Sequence, residues 1–172
     1  MESQLDRDAV RALIEAAGRS LAGGWLLVGG AAAALWFNGS RRTEDIDLVA
    51  LRGSTEDRIA LMDLAVACGL SAETVNSAAD YFVRRIPGWR DELEVLHAGS
   101  SATIYRPSPT LFLLLKVGRL TEKDLQDCVE LIAFVHSGTV DVVRVRAALA
   151  SLPPTLDSAL AARRAAVGQA LG

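Results

Sequence analysis

The stretch that most narrows the fold of this chain is Leu26–Ala50, LLVGGAAAALWFNGSRRTEDIDLVA. The apolar run Trp25–Val28 that leads into it is short enough for a strand, and Gly29-Gly30 then turns the chain into Ala31–Phe37, which suits a helix. Asn38-Gly39-Ser40 closes that helix, and a second apolar run covers Ile46–Leu51. The second strand therefore opens on Asp45-Ile46-Asp47. Alternate residues of a strand share a face, so Asp45 and Asp47 project side by side while Ile46 and Leu48 pack behind them. Carboxylates are seldom buried without a partner, and two held close repel unless one takes up a proton. A divalent cation removes that cost. Mg2+ binds through one or two carboxylates and keeps its other positions for water and phosphate oxygens, and paired ions clamp the attacking and leaving oxygens of phosphoryl transfer. Glycines at the strand-to-helix turn let backbone amides approach a phosphate, whose negative charge the helix start favours. Either feature alone is common in solvated strand ends and plain turns. Their combination in a strand–helix–strand context points to phosphate chemistry.

The remainder of the chain is ordinary globular material. With 172 residues, 51% hydrophobic and 23% charged, it holds enough apolar side chain for a core and reads as one domain with a helical appendage. A net charge of −3 argues against a broad nucleic-acid coat, while a local phosphate site is still compatible with it. Cys68 and Cys128 lack CxxC spacing and read as reduced thiols. Met1–Arg11 is charged and lacks the apolar run of a signal peptide. No apolar stretch reaches the roughly 18 residues of a membrane span, so a cytoplasmic setting without membrane contact is expected.

Periodicity places an amphipathic helix over Arg7–Leu21, with Val10, Leu13, Ile14 and Leu21 on one face. Ser54 and Asp57 look like a cap pair opening a helix to Ala67, which Gly69 ends. In the middle, Tyr81–Ile86 is expected as a strand, Pro87-Gly88 as a turn, and Glu92–His97 and Ala102–Tyr105 as further strands. Helices are expected over Pro109–Val117, Thr121–His136, Val140–Leu152 and Leu156–Leu171, with Thr121 and Asp124 signalling a break across Gly118–Thr121. The fold class is α+β: a small mixed β-sheet flanked by helices, with a core over residues 1–107 and a helical C-terminal part over 108–172 packed on it as one compact unit.

Gly29-Gly30 followed by Arg42-Thr43-Glu44-Asp45-Ile46-Asp47 resembles the first motif of the DNA polymerase β-type nucleotidyltransferase superfamily. The form is nearest to its small bacterial branches, the AbiEii-like toxins and the minimal nucleotidyltransferases. A second match, Lys116-x-x-Arg119-x-x-x-Lys123-Asp124-x-x-Asp127, is similar to the helical signature that follows the sheet in AbiEii-like proteins. The resemblance implies a nucleotidyltransferase-like sheet and Mg2+- or Mn2+-dependent transfer of a nucleoside monophosphate from an NTP to an RNA (tRNA-like) or protein acceptor. It also implies a place in a toxin–antitoxin or phage-defence system, with a cognate partner protein. In such an enzyme Asp45 and Asp47 would ligate the metal and Gly29 and Gly30 would hold the triphosphate. Lys116 would contact phosphate or steady developing charge, with Lys123 as its substitute. Asp124 and Asp127 would orient these bases or position the acceptor. Arg42 and Thr43 would reach phosphate or fix the loop, and Arg119 joins the nucleotide-binding group. Active members usually add a third carboxylate from a neighbouring strand, for which Glu94 and Glu92 are the candidates. Without one, a one-metal enzyme or a catalytically lapsed domain that binds nucleotide or neutralises a partner is the alternative.

On a continuous helix, at about 100° per residue, Lys116, Arg119, Lys123 and Asp127 form one stripe, with Asp124 off to one side. Leu114, Val117, Leu125, Cys128, Val129 and Ile132 then lie opposite, on the side that would pack. A solvated helix face looks much the same. His97 and His136 lack ligand spacing, and Gly29-Gly30 lacks the third glycine of a dinucleotide fingerprint. Arg41-Arg42, Arg84-Arg85 and Arg163-Arg164 read as solvated pairs or as a path for RNA or a protein acceptor. Trp25, Trp36 and Trp89 read as packing residues.

Overall fold

The apolar spacing at the N-terminus folds as helix α1 (Arg7–Ser20). Asp6 caps it by accepting the Ala9 N–H at 2.9 Å, and Val10, Leu13, Ile14 and Ala17 are buried along its inner face. The computed structural model describes residues 4–172; residues 1–3, where the expected core begins, lie outside the described residues. The chain forms two compact units, Met1–Pro107 and Ser108–Gly172.

The first unit is built around strand β1 (Gly23–Val28), whose last four residues are all buried. A strand covered on both faces reads as an unbroken apolar run rather than an alternation, as Trp-Leu-Leu-Val does. β1 pairs antiparallel with β2 (Ile46–Ala50) and parallel with β5 (Ala102–Pro107). The edges are β3 (Val75–Asn76), parallel to β2, and β4 (Leu93–Ala98), antiparallel to β5, giving the order β3-β2-β1-β5-β4. Leu26, Leu27, Ile46, Leu48 and Ile104 are fully enclosed in this mixed sheet. Between β1 and β2 lies α2 (Gly29–Trp36), and α3 (Asp57–Ala67) follows β2. The Ser54 hydroxyl donates to the Asp57 carboxylate at 3.0 Å, so the pair forms as expected, but the helix starts at Asp57 rather than at Ser54.

One expected strand is a helix. Tyr81–Ile86 is rich in β-forming side chains, yet Asp80–Arg84 folds as α4. Asp80 and Arg84, one turn apart, form an ion pair at 2.8 Å, and Arg84 also donates to the Ala50 carbonyl at 3.0 Å. Only Val83 of this segment is buried, so the alternation that a strand would use has no core to face. Gly88, at φ +74°, turns the chain into a 3-10 segment over Trp89–Glu92 before β4. Strand β3 was not expected, because two residues carry no periodicity.

In the second unit the helices are α5 (Pro109–Val117), α6 (Glu122–Phe134), α7 (Val142–Ser151) and α8 (Ser158–Ala170). Ser108 caps α5 by accepting the Leu111 N–H at 3.1 Å, with Pro109 opening the first turn. The expected break is present: Leu120 takes a left-handed φ of +47° while fully buried, and Thr121 and Asp124 form a reciprocal capping box. Arg163 of α8 donates to the Leu120 carbonyl at 2.7 Å, satisfying the turn. The architecture is α+β. Among the described residues no helix is long and apolar enough to cross a membrane.

Candidate active site

The register of the central hairpin sets Val28 opposite Asp47, so the chain leaves β1 beside the start of β2. Gly29 makes the turn at φ +71°, a left-handed conformation that glycine adopts without steric cost. A Cβ there would stand 3.4 Å from Oδ2 of Asp47. A Cβ on Gly30 would stand 3.1 Å from both Nη2 of Arg41 and Oγ1 of Thr43. The missing side chains thus leave the backbone of the turn against the Asp-x-Asp strand and the loop before it.

Thr43 fixes that loop. It is buried, exchanges both backbone hydrogen bonds with Leu5 at 2.7 and 3.1 Å, and donates its hydroxyl to the Asp45 carbonyl at 2.9 Å. Asp45, just ahead of β2, is exposed, and Asp47 is half-buried. Arg42, the arginine singled out in the motif, turns away to pair with Asp6 at 3.0 Å. The Ala9 N–H and this arginine together hold the Asp6 carboxyl below its ordinary value. Arg41 is the arginine at the glycine turn, and the sequence motif passed over it. The two arginines part because the Arg41 guanidinium lies over Gly30 while Arg42 is drawn to Asp6, and the chain bends at Glu44 before β2 begins.

The carboxylates of exposed Asp45 and half-buried Asp47 are hard oxygen donors. They fit a hydrated Mg2+ or Mn2+ that completes its shell with water and phosphate, rather than an all-protein cage. Among the described residues no group of three or more His, Cys, Asp or Glu side chains gathers as a cage. Glu94 does not supply a third carboxylate. It stands on β4, three strands from β2, a separation of about 14 Å at normal strand spacing. The registers Val28↔Asp47, Leu26↔Tyr105 and Tyr105↔Val95 put Asp47 and Val95 on one face and Glu94 on the other. There its carboxylate accepts from Arg106, which stacks 3.8 Å over Trp36. Glu92 lies in the 3-10 segment ahead of the strand.

The second motif assembles inside the second unit. Lys116 Nζ donates to Asp124 at 2.9 Å and Asp127 at 3.0 Å, with the lysine side chain 8% exposed and the carboxylates 2% and 1%. Arg119 Nε adds a bond to Asp124 at 3.0 Å from a side chain that is 75% exposed. The continuous stripe is replaced by a corner. The break after Val117 folds α6 back so that Asp124, expected off the stripe, meets Lys116, while Lys123 faces solvent. Val129, expected on the packed side, is exposed. Burial by itself would raise the Asp124 carboxyl, but the Arg119 hydrogen bond and the Lys116 charge overcome it and hold it well below its ordinary value. Beside them burial pushes the Cys128 thiol up to about 12, an inert packing group, while Cys68 is exposed. Trp25 and Trp89 are buried packing residues, as expected.

A five-stranded mixed sheet with a glycine turn leading from its central strand to an Asp-x-Asp strand is the arrangement of a nucleotidyltransferase-like domain. The family model described as nucleotidyltransferase of unknown function (DUF6036) matches residues 4–152, and the chain belongs to that family. No curated protein and no solved structure matches it.

Proposed function

We propose that this protein transfers a nucleoside monophosphate from a nucleoside triphosphate to a hydroxyl of an RNA, tRNA-like in form, or of a protein. The observation that carries the reading is the juxtaposition of Gly29 with the Asp47 carboxylate at the end of the central hairpin. Asp45 and Asp47 would hold the divalent ion, which when bound supplies charge neutralisation at the α-phosphate. The backbone of Gly29 and Gly30 would receive the remaining phosphates, and Thr43 holds the strand entry that aims both aspartates. The acceptor oxygen bonds to the α-phosphorus in line, the bond to pyrophosphate breaks with its electron pair leaving on pyrophosphate, and the acceptor proton passes to water. This chemistry asks mainly for positioning and charge stabilisation. The packing of Lys116 supports the reading that Asp124 and Asp127 orient it and that it joins α5 to α6. The likeness of both motifs to AbiEii-like proteins supports a place in a toxin–antitoxin or phage-defence pair.

A second reading, a lapsed domain that binds nucleotide without turnover, is favoured by the two-carboxylate donor set. Incubation of the protein with each α-labelled NTP, Mg2+ or Mn2+, total bacterial RNA and lysate separates the two. Label moved to a macromolecule by wild type and not by the Asp45→Ala/Asp47→Ala variant establishes transfer. Nucleotide binding without transfer establishes the second reading.

A further inference from the structure

We infer that Arg41 is the residue by which this site selects a triphosphate, reading the phosphates beyond the α position, and that Arg42 has no part in it. The inference rests on the nucleotide reading above and goes beyond it by assigning the selectivity to one side chain. Three observations carry it. The Arg41 guanidinium lies over Gly30, its Nη2 3.1 Å and its Cζ 3.3 Å from where a Cβ would be, so this glycine is the condition for its position. Arg41 is also half-buried and anchored, Nη1 donating to the Arg42 carbonyl, so the fork is held at the turn rather than swinging in solvent. Finally, Arg42 is held on the other side of the segment by Asp6.

The chemistry fits a polyphosphate. The Asp47 carboxylate stands at the glycine turn and Asp45 lies two residues before it, so a polyphosphate there needs cations to offset their charge. The metal ion would serve the α-phosphate, and a planar guanidinium matches the paired oxygens of a terminal phosphate in a way a lysine cannot. A monophosphate lacks the terminal group with which this fork would pair.

The test uses the full chain and measures binding, without turnover. Mg2+-tripolyphosphate, the four α,β-methylene nucleoside triphosphates and the matching monophosphates are titrated calorimetrically into wild type, Arg41→Ala, Arg41→Lys and Arg42→Ala. Charge-assisted hydrogen bonds of this kind predict a loss of about tenfold or more in triphosphate affinity for Arg41→Ala. Arg41→Lys should lie between it and wild type, monophosphate binding should be unchanged, and Arg42→Ala should match wild type. Equal triphosphate affinity in wild type and both Arg41 variants overturns the assignment while leaving the nucleotide reading intact, as does an equal loss in Arg42→Ala. Failure of wild type to bind any triphosphate overturns the nucleotide reading and this inference with it. Should Arg41→Ala unfold, Arg41→Lys decides alone, because it keeps the charge and the packed stem while losing the fork.

Discussion

Two pairs of aspartates divide this molecule. Asp45 and Asp47 stand where the chain enters β2 beside the end of β1, exposed and half-buried, with glycine backbone beside Asp47. Asp124 and Asp127 stand one turn apart on α6, each under 3% exposed, with Lys116 between them. The residue type is the same and the consequence opposite. A solvated carboxylate pair keeps its charge cheaply and can receive a cation from outside. A buried pair must carry its cation in the fold, because removing carboxylates from water costs several kcal/mol that only a well-placed counter-charge offsets. Charge clusters therefore divide by hydration, and sequence spacing alone does not report it.

The largest expected effect tests the first pair. Asp45→Ala with Asp47→Ala should drop label transfer to the no-protein background, while a urea denaturation curve stays within about 1 kcal/mol of wild type, Asp45 being exposed and Asp47 half-buried. Transfer that survives the double substitution would remove the contrast. Next comes Lys116→Met, which keeps the apolar stem and strips the charge. It leaves two buried carboxylates uncompensated and should cost about 3–5 kcal/mol of unfolding free energy, read by the same denaturation. Full stability with loss of transfer would instead make the lysine a chemical group and the two pairs alike.

A smaller effect follows from pH. The Asp124 carboxyl sits below its ordinary value of 3.8 in the folded chain, so its contribution is complete above that value. It is lost as pH falls through the lower folded value. Thermal unfolding from pH 5 downward should show this loss, and Asp124→Asn, already less stable, should show less of it. Smallest is Thr121→Ala, which removes one half of the capping box and should cost about 1 kcal/mol, with transfer unchanged.

Much of this was legible in the order of residues because the signals are local. Ser108-Pro109 marks a helix start, Thr121 and Asp124 mark a break, and Gly29-Gly30 between two apolar runs marks a turn. Other features depend on what lies across the fold. Tyr81 and Phe82 look like strand residues, but both are exposed and only Val83 meets the core, so a strand there has nothing to bury and the Asp80–Arg84 pair adds a small helical preference. Glu94 has a plausible place in the sequence as a third ligand, and only the strand order carries it to the far edge. Lys116 reads as a surface cation until the corner after Val117 turns Asp124 and Asp127 onto it. Arg41 and Arg42 are alike in the sequence, and only the fold sets Arg41 over Gly30 and Arg42 against Asp6.

The place of β1 has a consequence for how the protein comes into being. This strand delivers the glycine turn, and its parallel partner β5 begins only at Ala102. On the ribosome the aspartates and glycines emerge early, while one whole edge of β1 waits for a segment made much later. Long-range parallel pairings form slowly and late, and domains complete as units during synthesis. The turn would therefore reach its rigid form only once the distant strand has docked. A nascent chain would be inert, and the last strand to join the sheet would act as the clock that arms the site.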